Sequence, residues 1–408
     1  MSEPSQRPSW RRQLLLMCAS LSVSLLLGEL LVRIFTRVDP RFYNDAGTLW
    51  VIGPENDNPK DNPFKLPHGF TTTRVGIEAM HIGHQTRFNG HGMRDPKEYT
   101  FEKPKGARRV FLLGDSVVFG HTEEALRLPP QLRAALEAKL PGVTVETPAF
   151  SCPGWDFGSY LIVMKQAVAQ FETDDVVIGF VLNDLLGSWV PMTKDGEVDV
   201  ATPTGDPERA VLDWPWIRAV VRNSALLTAI VWVGKGFYAK SRPIPLDVAK
   251  LAKGPHAFDE AVAALEPGFV WLERTCKQRK LRCTVTVFPY GLQVEEGFAR
   301  TVIESWYGKT FDPAVVNDGP QQAIWRACQR HGLPYVDLLP AFRAEPDPAG
   351  LFFDTPEGRI DYVHLSPRGN ALVAKVLAEA LAQPPVVSAD SATTAAAAAT
   401  VAPAKTAP

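Results

Sequence analysis

Arg109-Val110-Phe111-Leu112-Leu113-Gly114-Asp115-Ser116 is a short apolar run that stops on glycine, aspartate and serine. A run of this length bounded by turn residues reads as a buried strand, and a strand that is apolar throughout belongs in a parallel sheet covered on both faces. The chain beyond it keeps that alternation. Residues 126–140 read as helix, 143–150 as strand, 160–171 as helix and 175–182 as an apolar strand rich in Val and Ile. After an interruption, 258–280 reads as helix, 283–288 as strand, 320–331 as helix and 335–339 as strand. Residues 365–381 close the pattern as a helix with Pro367 in its first turn, where a missing N–H is tolerated. Five βα units predict an α/β fold with a five-stranded parallel sheet.

The 408 residues, 45% hydrophobic and 22% charged, suffice for one large α/β domain with appendages. A net charge of -2 gives no basic footprint, so nucleic acid is set aside as a partner. Residues 14–35 form an apolar stretch of membrane length behind Arg7, Arg11 and Arg12, and residues 1–13 form a short segment before it. Glu29 and Arg33 interrupt the stretch at i, i+4, a spacing at which they can pair on a helix. The reading is an uncleaved signal anchor that holds the body of the chain outside the cytoplasm, as a single-pass inner-membrane protein. A cleaved signal peptide and a buried soluble helix are the alternatives.

Export would expose Cys152, Cys276, Cys283 and Cys328 to an oxidising compartment, where four cysteines allow three fully paired connectivities. Cys276 and Cys283 straddle a predicted helix-to-strand turn and form the plausible local pair; four buried thiols is the competing reading. Residues 36–107, rich in Pro, Asn, Gly and charge, read as a juxtamembrane stem and loop-rich cap. Residues 108–382 carry the α/β domain, interrupted at 186–256 by a proline-rich insertion with one apolar helix near 219–237. That helix reads as an amphipathic or buried lid, with a membrane-surface contact as the lesser case. The tail, 383–408, is Ala, Pro and Thr with almost no charge and reads as disordered.

In an open α/β sheet, ligands bind beyond the carboxyl ends of the strands. Ser116 ends the first strand, Gly154 follows the second, and Asn183-Asp184 ends the third. Asp361-Tyr362-Val363-His364 stands where the last helix is expected to begin, a placement that would bring both side chains to one face at the helix entry. A serine hydroxyl is a weak nucleophile until an imidazole takes its proton and a carboxylate fixes the imidazole tautomer. Ser116, His364 and Asp361 supply those parts. Acyl transfer also builds charge on a carbonyl oxygen, and the Ser116 amide, the Gly154 amide and the Asn183 side chain are the candidate donors to it.

With these blocks in order, 108–382 resembles the SGNH/GDSL hydrolase family. The resemblance falls on Ser116 in Gly-Asp-Ser, Gly154, Asn183 in Asn-Asp, and His364 in Asp-x-x-His. It implies a flavodoxin-like three-layer α/β/α sheet, Ser116 as nucleophile, His364 as base, Asp361 as its orienter, and Ser116, Gly154 and Asn183 as oxyanion hole. Asn89-Gly90-His91-Gly92-Met93-Arg94-Asp95 is similar to a segment that precedes the first strand in membrane-anchored bacterial members. The sequence departs from the family at Val181, where a glycine is usual, and at Val117-Val118 after the nucleophile.

Each assignment has a plainer reading beside it. Asp115-Ser116 can be no more than a helix cap, Gly154 a turn residue, Asp184 a cap, and Cys152 a packed thiol. His81-x-x-His84 and His91 have ligand-like spacing, but Gly83, Gly90 and Gly92 argue for loop, no carboxylate or cysteine completes a set, and no metal or cofactor is expected. Trp189, Trp214, Trp216 and Trp232 read as lid packing before sugar stacking. The functions that follow are a serine esterase acting on an acyl ester of an extracytoplasmic carbohydrate or lipid, an O-acetyltransferase to an envelope polysaccharide served by a membrane acyl donor, or a silent envelope scaffold.

Overall fold

The computed structural model describes residues 10–35, 78–81, 84–186, 190–200, 224, 226–227, 244–354 and 360–383. Helix α1 spans Trp10–Phe35, and strands β1 (Glu78–His81) and β2 (His84–Arg87) form an antiparallel hairpin. The expected loop around His81 and His84 is therefore strand, with the two histidines opposite each other in register.

The quoted run is β3, Arg108–Gly114, buried from Arg109 onward. On one side it pairs in parallel with β4 (Val145–Glu146) and β5 (Ala149–Ser151), and on the other with β6 (Asp175–Phe180). Parallel β7 (Arg282–Val287) and β8 (Tyr335–Asp337) follow β6. The predicted strand 143–150 is thus two short strands at one position of the sheet. Pro148 explains the break, because it has no N–H to give the ladder, although its carbonyl still accepts from Leu112 N (3.0 Å). The resulting order, β4/β5–β3–β6–β7–β8, is the flavodoxin-like order 2-1-3-4-5.

Helix α3 (Leu128–Lys139) packs against α7 (Pro367–Ala382), while α5 (Glu266–Arg279) packs against α4 (Phe157–Gln166) and α6 (Gly319–Arg330). Right-handed crossovers put the two groups on opposite faces of the sheet. Helix α4 begins earlier than its apolar pattern suggests because Asp156 caps it, accepting from Ser159 N (3.0 Å) and Ser159 Oγ (2.9 Å). The predicted helix 258–280 divides into Asp259–Ala264 and α5, with Pro267 in the first turn of α5. Helix α7 starts at Pro367 behind the Ser366 cap, two residues later than expected.

Cys276 at the end of α5 is disulfide-bonded to Cys283 in β7, across a separation of 7 residues, and Cys152 and Cys328 are buried thiols. Closing a loop this short restrains the unfolded chain by about 2–3 kcal/mol. Chemical denaturation of the Cys276→Ser/Cys283→Ser variant is expected to show a stability loss of about that size. A loss under about 0.5 kcal/mol would show that the bond carries no stability.

Helix α1 contains an apolar stretch, Arg12–Ile34, long enough to cross a membrane, and it is exposed along that length. Its Glu29 accepts from Arg33 Nε (2.6 Å), the i, i+4 pair expected, and also from Ser224 Oγ (2.7 Å) and Leu226 N (2.9 Å) of the insertion. The charge in the apolar helix is thereby hydrogen-bonded on both carboxylate oxygens. Within the insertion, Met192 and Val198 form an antiparallel bridge and Leu246–Leu251 is helical. The remainder of the 219–237 helix, the tryptophans at 189, 214, 216 and 232, most of the stem and the tail from 384 lie outside the described residues.

Candidate active site

Strand β3 hands its chain to a one-turn helix, α2 (Ser116–Phe119), which precedes α3. Asp115 caps it, accepting from Val117 N (2.9 Å), so the cap reading and the site reading describe adjacent residues of one turn. Gly114 is required for close approach: a Cβ there would lie 2.3 Å from Val118 Cγ2. Ser116 is half-buried at the start of α2.

Ser116 Oγ lies 2.8 Å from His364 Nε2, and His364 Nδ1 lies 2.6 Å from Asp361 Oδ2. With the proton on Nδ1, the imidazole donates to the carboxylate and accepts from the serine. The pair does not sit at a helix entry as the sequence suggested. Asp361 and His364 lie in strand β10 (Ile360–Leu365), antiparallel to β9 (Phe352–Asp354), with a register shift between residues 360 and 365. A regular strand would send i and i+3 to opposite faces. Asp361 Oδ1 instead accepts from Val363 N (2.8 Å) and His364 N (3.2 Å), which curls the strand and brings both side chains together. Tyr362 between them turns inward, where its hydroxyl meets that of Tyr307 (2.9 Å).

Burial alone would raise the Asp361 carboxyl, but the hydrogen bond and charge of His364 and the two amides outweigh it, and the group is held below the ordinary carboxylate range. Asp115 is shifted the other way, upward, because its burial dominates the opposing Val117 amide and His364. Ser116 Oγ also lies 3.2 Å from Asp115 Oδ2, a longer contact than that to the imidazole.

Gly154 and Asn183 stand on the two strand positions flanking β3, since β3 pairs with both β5 and β6. Gly154 has φ +81°, a conformation that L side chains rarely adopt, in the turn closed by Trp155 N donating to Cys152 O (3.1 Å). Asn183 is exposed on a single 3-10 turn, Leu182–Leu185, at the end of β6. Buried Asp184 fixes that turn, accepting from Val181 N (2.8 Å) and from Tyr160 Oη (2.8 Å). Val181, where the family usually has glycine, is fully buried, and the close approach is made at Gly179, whose Cβ would lie 2.3 Å from Phe288. Cys152 is packed, and burial pushes its thiol up, away from reactivity.

His91 serves packing: Nε2 donates to Tyr99 O (2.6 Å), and the ring lies against Phe171. Among the described residues, no three His, Cys, Asp or Glu side chains cluster as metal ligands do. Sequence reading missed His121, whose ring lies against that of His364 with centroids 4.0 Å apart, and it gave Arg94 no role. His121 follows the Gly-Asp-Ser block and Arg94 lies within the Asn89 to Asp95 segment, but neither residue type announces a function by itself.

No protein-family model matches the chain, and no curated protein does. Among solved structures, the chain is similar to a lipase/acylhydrolase from Enterococcus faecalis, at 16% identity and TM-score 0.36, over 67% of this chain and 95% of that one. It is similar to a GDSL-like lipase from Parabacteroides merdae, at 12% identity and TM-score 0.36, over 67% and 95%. It is also similar to the acetylxylan esterase Axe2 from Geobacillus stearothermophilus, at 14% identity and TM-score 0.38, over 68% and 96%. In the order of its own sheet and the strand ends that carry its motifs, the chain has the α/β arrangement that the SGNH/GDSL resemblance implies.

Proposed function

We propose that the protein is a serine-dependent acyl-ester hydrolase that works through an acyl-enzyme on Ser116. The observation that carries this reading is the hydrogen-bonded line from Asp361 Oδ2 through His364 to Ser116 Oγ, with spacings of 2.6 and 2.8 Å. Ser116 Oγ attacks the ester carbonyl carbon while its proton passes to His364 Nε2. Asp361 holds the imidazolium that forms. Negative charge on the carbonyl oxygen is met by the Ser116 and Gly154 amides and the Asn183 side chain, on adjacent strand ends. The tetrahedral species collapses as the C–O bond breaks and the alkoxide takes the proton from His364. Water, deprotonated by the same imidazole, then releases the acid.

An exposed apolar helix of 23 residues supports a single-pass anchor, and a disulfide supports a catalytic domain on the periplasmic side of the inner membrane. The substrate class that fits this placement is an acyl ester of an envelope glycan or lipid.

The test is turnover of p-nitrophenyl acetate by the full chain as a function of pH, with acetyl mass shifts on envelope glycans followed in parallel. Because its pKa is depressed, Asp361 adds stability that is present above the ordinary carboxylate range and lost as pH falls through the lowered value. It therefore stays ionised across about pH 5 to 9, and because general-base catalysis needs the lone pair on His364 Nε2, the rate is expected to rise with pH within that range. A flat profile over that range overturns His364 as base. Loss of acetyl from a glycan supports the hydrolase, whereas acetyl gained by a glycan from the donor ester would assign O-acetyl transfer through the same serine.

A further inference from the structure

His121 belongs to none of the sequence blocks assigned to the site, yet it meets the imidazole on which the proposed reaction depends. Helix α2 ends at Phe119, and Gly120 turns the chain at φ +78°. A Cβ on Gly120 would also lie 3.2 Å from Arg127 Cγ and Cδ, so conformation and space both call for glycine. The turn brings the His121 ring against His364, centroids 4.0 Å apart and planes 80° apart. His121 is 7% exposed, and the ring of Phe353 on β9, the strand paired with β10, has its centroid 6.0 Å away.

The loop that carries His121 is held by an arginine. Arg94, 3% exposed, donates from Nη1 to Phe119 O (3.0 Å) and Gly120 O (2.5 Å), and from Nη2 to Thr122 O (3.0 Å). These three carbonyls flank His121. Arg127, fully buried, adds Nη1 to Phe119 O (3.1 Å) and donates from Nη2 to Arg94 O. Glu124 balances both guanidiniums. The tight loop behind Arg94 is made by Asn89, whose Oδ1 accepts from His91 N (3.0 Å) and Met93 N (3.1 Å). The Asn89 to Asp95 motif thus has a physical task, to deliver a guanidinium inward.

Burying two guanidiniums is costly unless their donors are satisfied. Here four of the contacts converge on the carbonyls of Phe119, Gly120 and Thr122, the residues on either side of His121, while Arg94 Nε faces Glu124 at 3.6 Å. The two hydrogen bonds of His364 fix the line between Nδ1 and Nε2 but leave the ring free to tilt about it. A perpendicular ring in contact, the arrangement aromatic pairs favour, opposes that tilt.

We infer that His121 is a positioning residue for His364 and that Arg94 acts through His121, an inference that rests on the reaction proposed above. Its test uses the full chain with p-nitrophenyl acetate and the variants His121→Ala, His121→Phe and Arg94→Lys. His121→Ala is expected to lower kcat about tenfold with KM within about twofold, and His121→Phe, which restores a ring, to recover to within about threefold of the parent. Arg94→Lys is expected to lower kcat in the parent but to change it less than about twofold in the His121→Ala background. An unchanged kcat in His121→Ala, equal loss in His121→Phe, or multiplicative effects of Arg94 and His121 would overturn the inference.

A second readout needs no substrate. In protein labelled with 15N-histidine, the His364 Nδ1–H resonance is expected to be protected in the parent, exchange-broadened in His121→Ala and restored in His121→Phe. If it is unchanged in His121→Ala, positioning fails whether or not any ester is turned over. If it changes as expected while neither the parent nor any variant turns over an ester or takes up a fluorophosphonate at Ser116, the hydrolase reading fails and the positioning stands.

Discussion

Ser116→Ala is expected to reduce kcat for ester turnover by at least about 10⁴-fold, with KM within a few-fold and the fold intact. The hydroxyl is the only part removed. Ser116 is half-buried at a helix start whose cap is Asp115, and the cap's hydrogen bond to Val117 N does not involve the serine side chain. Alanine also suits the first turn of a helix. What disappears is the atom 2.8 Å from His364 Nε2, and with it the covalent route. The oxyanion donors on β5 and β6 and the substrate contacts remain, so residual catalysis over water is expected to survive. Thermal melting within a few degrees of the parent, together with the collapse in kcat, is the result that fits. A variant retaining a tenth or more of the parental kcat would remove Ser116 as nucleophile.

The second large effect is expected at Asp361. In Asp361→Asn, one carboxylate oxygen becomes an NH₂ while size and shape are kept. The Oδ1 position already serves two backbone amides, Val363 N and His364 N, and only an acceptor satisfies them. The new amide nitrogen must then face His364 Nδ1, where it donates. That reverses the tautomer, moves the imidazole proton to Nε2, and leaves no lone pair toward Ser116 Oγ. A fall in kcat of about 10³–10⁴ is expected. Because the amide contacts that curl β10 persist, the loss should come without loss of fold. Asp361→Ala, which removes both functions of the side chain, is expected to lower stability as well as rate. Retention of kcat within about tenfold in Asp361→Asn would show that His364 is oriented by something other than Asp361.

The elements of the sheet were legible because each is a local pattern. β3 is an uninterrupted apolar run between charged and turn residues, β6 repeats it, and β7 is a β-branched run of Val and Thr. Where boundaries moved, a single residue accounts for the shift: Pro148 splits β4 from β5, Pro267 opens α5, and Asp156 starts α4 ahead of its apolar face. The candidate site residues stood out in the sequence for a related reason. In a parallel sheet, knowing the strands gives their carboxyl ends, and Ser116, Gly154 and Asn183 are at those ends.

The Asp361 to His364 pair shows where that logic stops. Its spacing was read as helical because i and i+3 share a helix face and oppose each other on a strand. The structure achieves the same convergence on a strand by spending one carboxylate oxygen on two amides. No periodicity reveals that, since the bond depends on a backbone shape that the side chain itself creates. Arg94 and His121 were invisible for another reason. An arginine in a glycine-rich loop looks solvated in sequence, and only the packing of Phe119, Gly120 and Arg127 around it makes it a buried clamp.

By itself the sequence determined the α/β class, an apolar N-terminal helix, and a candidate serine, glycine and asparagine at strand ends with an Asp-x-x-His near the last helix, because periodicity, turn residues and strand ends are local properties of the chain. Only the tertiary structure decided that residues 248 apart meet at 2.8 Å, which of the two faces of β10 carries the base, and which ring lies against it. Those distances depend on how β10 curls and on how two buried guanidiniums draw one loop inward, and both are set by contacts between segments far apart in sequence.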